Sequence, residues 1–197
     1  MTSALNDQSL EQIFRSARTP NRWTDRPVGE DTVREIYDVM KWGPTSANSS
    51  PARFVWVRSA EGKAKLAGLA AELNKQKILE APVTVIIGHD MNFADKLPKL
   101  MPHAAERMQQ HFATPGVAEV TAMRNGTLQG AYLIIAARAL GLDCGPMSGF
   151  DNSGVDKAFF TGTRIQSNFI CSIGYGDPAS VFPRNPRLGF EEAGRWA

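Results

Sequence analysis

The sequence predicts a three-layer α+β domain, and three observations lead there. Helical periodicities and a few apolar strand-like runs are mixed without the regular strand–helix–strand alternation of an open doubly wound sheet. One run, from Val83 to Ile87, is continuously apolar, as expected for a strand covered on both faces. The chain of 197 residues, 43% hydrophobic and 21% charged, is ample for one cohesive core and marginal for two, so residues 1–197 read as a single domain.

Taken in order, residues 9–17 read as a short helix, with Leu10, Ile13 and Phe14 at i, i+3, i+4. Residues 18–27 are irregular and basic, carrying Arg18, Arg22 and Arg26. A second helix over 30–42 lines Val33, Ile36, Tyr37 and Met40 on one face and ends at Gly43-Pro44. Residues 54–58 alternate as a strand. A helix over 60–73 places Leu66, Leu69 and Leu73 on one side, and the 83–87 strand follows Ala81-Pro82. Residues 91–114 are less regular and fit a lid or a substrate-facing insertion. The strongest helix runs over 117–140. Its apolar side chains cover much of the circumference, which predicts a central, largely buried element capped by Gly141. Residues 144–150 read as a glycine-rich loop, 153–160 as a short helix and 169–175 as an apolar strand. The tail from 178 is rich in proline and arginine, and is expected to wrap over a neighbouring subunit.

Composition excludes several classes. A formal charge of +2 with scattered basic residues gives no nucleic-acid footprint. No apolar run approaches the roughly 18–20 residues of a membrane span, and the N-terminus has no signal segment, so a cytoplasmic protein is expected. Cys144 and Cys171 have no CxxC partner, and His89, His103 and His111 form no zinc pattern, so no metal is expected. The histidines read as solvent-facing or locally hydrogen-bonded, and Cys144 as a small buried thiol. There is no GxGxxG and no GxxxxGK(S/T), which removes the simplest dinucleotide and P-loop readings but leaves a flavin open.

The run from Lys41 to Arg53 concentrates small residues, hydroxyls, one amide and two prolines beside a strand. That chemistry suits a polar, planar or phosphorylated ligand. Four other stretches stand with it: Arg18-Thr19-Pro20-Asn21-Arg22-Trp23, Asn74-Lys75-Gln76-Lys77, Gly145-Pro146-Met147-Ser148-Gly149-Phe150, and Phe182-Pro183-Arg184-Asn185-Pro186-Arg187-Leu188. With these stretches in this order, the chain resembles the nitroreductase-like flavoprotein family from about residue 10 onward. The 40–48 and 145–151 stretches and Ile173-Gly174-Tyr175-Gly176-Asp177 are similar to its malonic semialdehyde reductases of pyrimidine breakdown.

The resemblance implies a three-layer fold with a central, mostly antiparallel sheet, an intertwined homodimer, bound FMN, and NADH or NADPH as reductant. It assigns Arg18 to the flavin phosphate, with Thr19 and Asn21 beside it and Arg22 one residue off. Pro44, Thr45, Ser46 and Asn48 would pack on the flavin held mainly by the other subunit. Ser50 and Ala52 stand where the family commonly has glutamine and tryptophan. Asn74 and Lys77 would face the pyrimidine side of the ring, where a cation stabilises the reduced form. Pro146, Met147, Ser148 and Gly149 would pass flavin N5 with backbone groups. Ser148 replaces a common glutamate and supplies no carboxylate. Arg184 or Arg187, with Arg187 favoured, would close on the phosphate, where a guanidinium fork offers parallel charged hydrogen bonds.

The implied reaction is ping-pong hydride transfer through N5, without a side-chain nucleophile. Malonic semialdehyde would become 3-hydroxypropanoate, with Arg53, Arg107 or Arg124 available to its carboxylate. Nitro compounds, quinones and enones are alternative acceptors within the family. A non-catalytic flavin-binding sensor or carrier and a flavin-free small-molecule binding module are readings from other classes.

Overall fold

Strands β1 (Ala52–Val57), β2 (Val83–Asp90), β3 (Asp143–Met147) and β4 (Ile165–Gly174) join in the order β1-β2-β4-β3, every pair antiparallel, in the computed structural model, which describes residues 3–197. Around them lie α1 (Asp7–Leu10), α2 (Glu30–Met40), α3 (Ala60–Gly68), α4 (Glu72–Glu80), α5 (Leu97–Leu100), α6 (Ala105–Phe112), α7 (Val117–Ala139), α8 (Asn152–Phe159) and α9 (Phe190–Ala193).

The two central strands are apolar on both faces, which produces three layers. Val83, Val85, Ile87, Cys171 and Ile173 pack under α2 and α7, against Val33, Ile36, Met40, Leu133, Ala136 and Ala137. Ile86, Ile170 and Met147 face the other way, onto Leu66, Ala67, Ile78 and Val155 of α3, α4 and α8. The expected three-layer, antiparallel architecture is therefore present.

Helix α7 organises the molecule. Gly126 and Gly130 lower it onto the sheet: a Cβ on Gly130 would lie 2.5 Å from the Phe169 ring, and one on Gly126 would lie 3.0 Å from His89 Cβ. Gly141 ends the helix with φ +81°, the left-handed conformation expected of a C-cap glycine. Only one face is enclosed, however. Val120, Met123, Leu128 and Tyr132 remain exposed on the other. The expected burial around the circumference is not met within this chain.

Four other expectations are corrected. The first helix is split into α1 and a π-helical turn, Glu11–Arg15. The 60–73 helix stops at Gly68, because the chain turns there and Ala70 bridges Phe150; it resumes as α4. Helix α4 buries only Ile78, too little to give a periodic signal, and Leu73 is exposed. The stretch read as a glycine-rich loop begins as β3, since Cys144 and Met147 turn inward and an edge strand tolerates Pro146. Residues 91–114 have more order than expected. They fold as short turns, α5 and α6 around a separate core of Phe93, Leu97, Ala105, Phe112 and Ala122.

Candidate active site

The basic 18–27 stretch divides its three arginines. Arg22 pairs with Glu80 at 3.0 Å, and Arg26 stacks over the Tyr175 ring at 3.7 Å. The Glu80 carboxyl is held below its ordinary range, first by the Gln76 amide and then by Arg22, so this pair stays ionised. Arg18 alone turns toward the tail, where its guanidinium donates to the Phe182 carbonyl. Arg184 returns the contact, donating to the Arg15 carbonyl at 2.6 Å and the Ala17 carbonyl at 3.1 Å. Arg187 curls onto the carbonyls of Asn185 and Pro186. Asn21 fastens the same tail, donating from Nδ2 to the Ser180 carbonyl at 2.8 Å.

Between these segments lies a cavity of about 300 Å³, lined by Arg18, Thr19, Asn21, Arg138, Arg184 and Arg187 with Ala17, Phe182, Pro183 and Asn185. Four guanidiniums line it, and no carboxylate does among the described residues. Arg138, from the last turn of α7, was not singled out from the sequence. Its Nη1 donates to the Ile13 carbonyl at 3.3 Å, while its buried Nε has no partner among the described residues. A buried donor without a partner costs about 1–3 kcal/mol. Surplus guanidinium donors around an acid-free cavity fit a phosphate group.

Thr19, on the cavity wall, also faces the β3 edge. A Cβ on Gly145 would sit 3.8 Å from Thr19 Cγ2 and 3.5 Å from the Trp23 ring, both ordinary contacts, which places this stretch of β3 beside Thr19. Further along, Gly149 is clasped by α4. Asn74 Nδ2 and the Ala71 N–H both donate to its carbonyl, at 3.1 and 2.9 Å, and a Cβ here would meet Asn74 Nδ2 at 3.0 Å. Ser148 and Pro146 are exposed. The Met147 side chain is buried in the core, so only its backbone remains available to a ligand. Lys77 is half-buried on α4 and has no ion-pair partner among the described residues, unlike Lys75, which pairs with Glu72 at 2.7 Å. The 18–23, 74–77 and 145–150 stretches and the tail thus share one side of the molecule.

The remaining segment lies elsewhere. Residues 44–51 sit over the N-terminal half of α7, where Asn125 Oδ1 accepts the Ser46 N–H at 2.8 Å. Thirteen residues of helix separate Asn125 from Arg138, a rise of about 20 Å. Within the segment, the Ser50 N–H donates to Thr45 Oγ1 at 3.1 Å, and Asn48 Nδ2 donates to the Leu100 carbonyl at 2.8 Å. Ala47, Asn48 and Ser50 have φ of 53°, 49° and 40°. Left-handed backbone costs most residues about 1–2 kcal/mol, and asparagine less. Pro44 is exposed beyond Gly43, whose backbone crosses the Tyr132 ring so closely that a Cβ would lie 2.5 Å from it.

Other candidates settle into structural roles. Arg53 pairs with Asp90 at 2.8 Å and also donates to the Ser50 and Ala52 carbonyls. Cys144 and Cys171 are both free and buried. The hydrogen bond to Cys144, reinforced by burial, pushes the Cys171 thiol well above its ordinary range, which leaves no thiolate nucleophile there. His103 and His111 are exposed; His89 is buried, so of the two expected settings only local hydrogen bonding is left to it, and its Nδ1 has no partner among the described residues. Among the described residues there is no cluster of metal-ligand side chains, and no helix is long and apolar enough to cross a membrane.

Residues 15–175 match the model of the Nitroreductase family. The chain belongs to this family. A Xanthomonas oryzae pv. oryzae protein provisionally named NADH dehydrogenase/NAD(P)H nitroreductase is 58% identical over 196 residues, covering 100% of both chains. Among solved structures, a provisionally named nitroreductase from Exiguobacterium sibiricum, in complex with FMN, superposes with a TM-score of 0.85 at 22% identity, covering 100% of both chains. CLA-ER, an enone reductase of gut-bacterial fatty acid saturation, gives a TM-score of 0.83 at 17% identity over 98% of this chain and 99% of its own. This nitroreductase-family chain therefore carries the family's fold, with the arginine cavity at the C-terminal end of α7.

Proposed function

We propose that this protein is an FMN-dependent NAD(P)H oxidoreductase that reduces malonic semialdehyde to 3-hydroxypropanoate. The observation that carries the cofactor reading is the acid-free cavity bordered by Arg18, Arg138, Arg184 and Arg187, with the orphaned Arg138 Nε inside the protein. Arg18 and Arg138 would hold the phosphate, with Arg184 or Arg187 closing over it; the geometry favours neither. Thr19 and Gly145 would line the path of the ribityl chain. Asn74 and the Ser148-Gly149 backbone would border the ring, and Lys77 would supply a positive charge beside it. FMN, when bound, supplies hydride exchange between NAD(P)H and the acceptor. The chain's own residues bind, orient and compensate charge, and none is needed as a nucleophile.

A C2 homodimer completes this reading. Residues 44–51 lie about 20 Å along α7 from their own chain's arginine cavity, so a partner subunit is the natural source of Pro44, Thr45, Ser46 and Asn48. The exposed Val120, Met123, Leu128 and Tyr132 give α7 an apolar face for that partner. Each chain would act as one domain, in the cytoplasm, consistent with its free thiols.

The acceptor reading rests on the resemblance of the 40–48, 145–151 and 173–177 stretches. With Arg53 occupied by Asp90, exposed Arg107 and Arg124 remain for the substrate carboxylate. A second acceptor class is favoured by the relative's name, NADH dehydrogenase/NAD(P)H nitroreductase: quinones and nitroaromatics. The test is steady-state NADH and NADPH oxidation by FMN-loaded protein with malonic semialdehyde, menadione and a nitroaromatic. The expected result is the highest kcat/KM with the aldehyde. Preference for menadione or the nitro compound would replace the acceptor and keep the cofactor. A chain that retains no FMN would overturn the whole reading.

A further inference from the structure

We infer that Asn125 and Gln129 of α7 are positioning residues for the 44–51 segment. Without touching the ligand, they set how that segment meets the flavin ring. The inference rests on the reading of this segment as a flavin contact.

The two amides stand one helical turn apart, on one face of α7, and both are buried, 2% and 7% exposed. Asn125 Oδ1 accepts the Ser46 N–H, and Gln129 Oε1 accepts the Ala52 N–H, each at 2.8 Å. The segment therefore enters and leaves on a single turn of one helix. The Asn125 orientation is fixed from its other end, because Nδ2 donates to the Thr121 carbonyl at 2.8 Å. Buried amides in a helix otherwise facing a sheet need partners, and the partners here are the N–H of Ser46 within the segment and of Ala52, the first residue of β1 just after it.

The sequence builds this clamp twice. Each amide is followed by a glycine, Asn125-Gly126 and Gln129-Gly130. The glycines let α7 descend until it meets His89 and Phe169, and the amides beside them reach the loop. Between the two anchors the chain holds Ala47, Asn48 and Ser50 in left-handed backbone, a shape that relaxes unless its ends are fixed. An apolar residue at either position would leave the N–H of Ser46 or Ala52 without its acceptor.

The test uses flavin-free, full-length wild type, Asn125→Leu, Gln129→Met and Gln129→Glu. Each is titrated with FMN and with riboflavin, which lacks the phosphate, and the visible circular dichroism of the bound flavin is recorded beside the unfolding midpoint. Asn125→Leu and Gln129→Met are expected to weaken both flavins by the same factor, about tenfold, and to change the visible dichroism. Gln129→Glu, which keeps the acceptor, is expected to stay near wild type. Should Asn125→Leu not fold, the Gln129→Met and Gln129→Glu pair carries the same comparison. A folded Gln129→Met with wild-type affinities and dichroism would overturn the inference. So would a loss confined to FMN, or a Gln129→Glu variant as impaired as Gln129→Met. Those outcomes require a wild type that binds flavin; a wild type that binds none overturns the functional reading itself, and this inference with it.

Discussion

The two ends of α7 hold their loops by opposite means. At the Arg138 end, long and largely exposed guanidiniums donate to backbone carbonyls: Arg18 to Phe182, Arg184 to Arg15 and Ala17. At the Asn125 end, short buried amides accept backbone N–H groups. A guanidinium has five donors, so tying a tail with one or two leaves the rest free for an anion. An amide oxygen already occupied by an N–H has little left to offer. One end is therefore built to receive charge, and the other to fix shape. On the proposed reading, phosphate recognition would fall to the first and ring orientation to the second.

The largest expected effect breaks the charged end. Arg138→Met and Arg18→Ala should each weaken FMN about tenfold to a hundredfold, the range for losing a charge-assisted hydrogen bond, while the protein still folds. Riboflavin affinity should hardly move. Isothermal titration with both flavins reads this directly, and equal loss of riboflavin would erase the distinction between the two ends. Raising salt should mimic these variants in part, because the arginines are near solvent and screened.

A smaller effect sharpens the comparison at the ring. Lys77 has no carboxylate partner among the described residues, which leaves its ammonium free for a neighbouring anion. Lys77→Ala is expected to lower the midpoint potential of bound FMN by roughly 20–40 mV, the equivalent of 1–2 kcal/mol for a two-electron couple. FMN affinity for the oxidised form should change less. Spectroelectrochemistry provides the number, and an unmoved potential removes Lys77 from the ring's surroundings.

These residues differ in how openly the sequence announced them. Arg18, Asn74, Lys77 and Gly149 were reached through the family resemblance of their short stretches, and the structure gathers those stretches on one side. Helix α2, β2 and the Gly141 cap follow from local periodicity and from glycine's conformational freedom, so they were legible too. Arg138 was hidden because it resembles any basic residue in a helix's last turn, and its partners are more than 40 residues along the chain. Asn125 and Gln129 were hidden for a related reason. A polar residue in a helix reads as solvent-facing until the loop that pairs with it is known. Helix α4 and β3 were missed because a single buried side chain or an edge proline gives no period to detect.

The smallest expected effect is a pH dependence confined to the amide end. His89 lies beneath Gly126, and its imidazole is pushed below the ordinary histidine range, chiefly by burial. A hydrogen bond with Gln166 and the charge of Asp156 act in the opposite direction and do not win. The folded protein therefore keeps His89 neutral where the unfolded chain has begun to take up a proton. Its contribution to stability is complete above about pH 6.5 and is lost as pH falls toward the depressed folded value. The unfolding midpoint of wild type should decline from pH 7 to pH 5 more steeply than that of His89→Gln. Amide exchange at Ser46 and Ala52 should accelerate over the same interval before exchange in β3 does. Parallel pH profiles for the two proteins would mean that His89 is protonated in the folded state and that the amide end is no more acid-sensitive than the arginine end. A steeper wild-type profile would show that the shape-fixing end of α7 rests on a neutral imidazole.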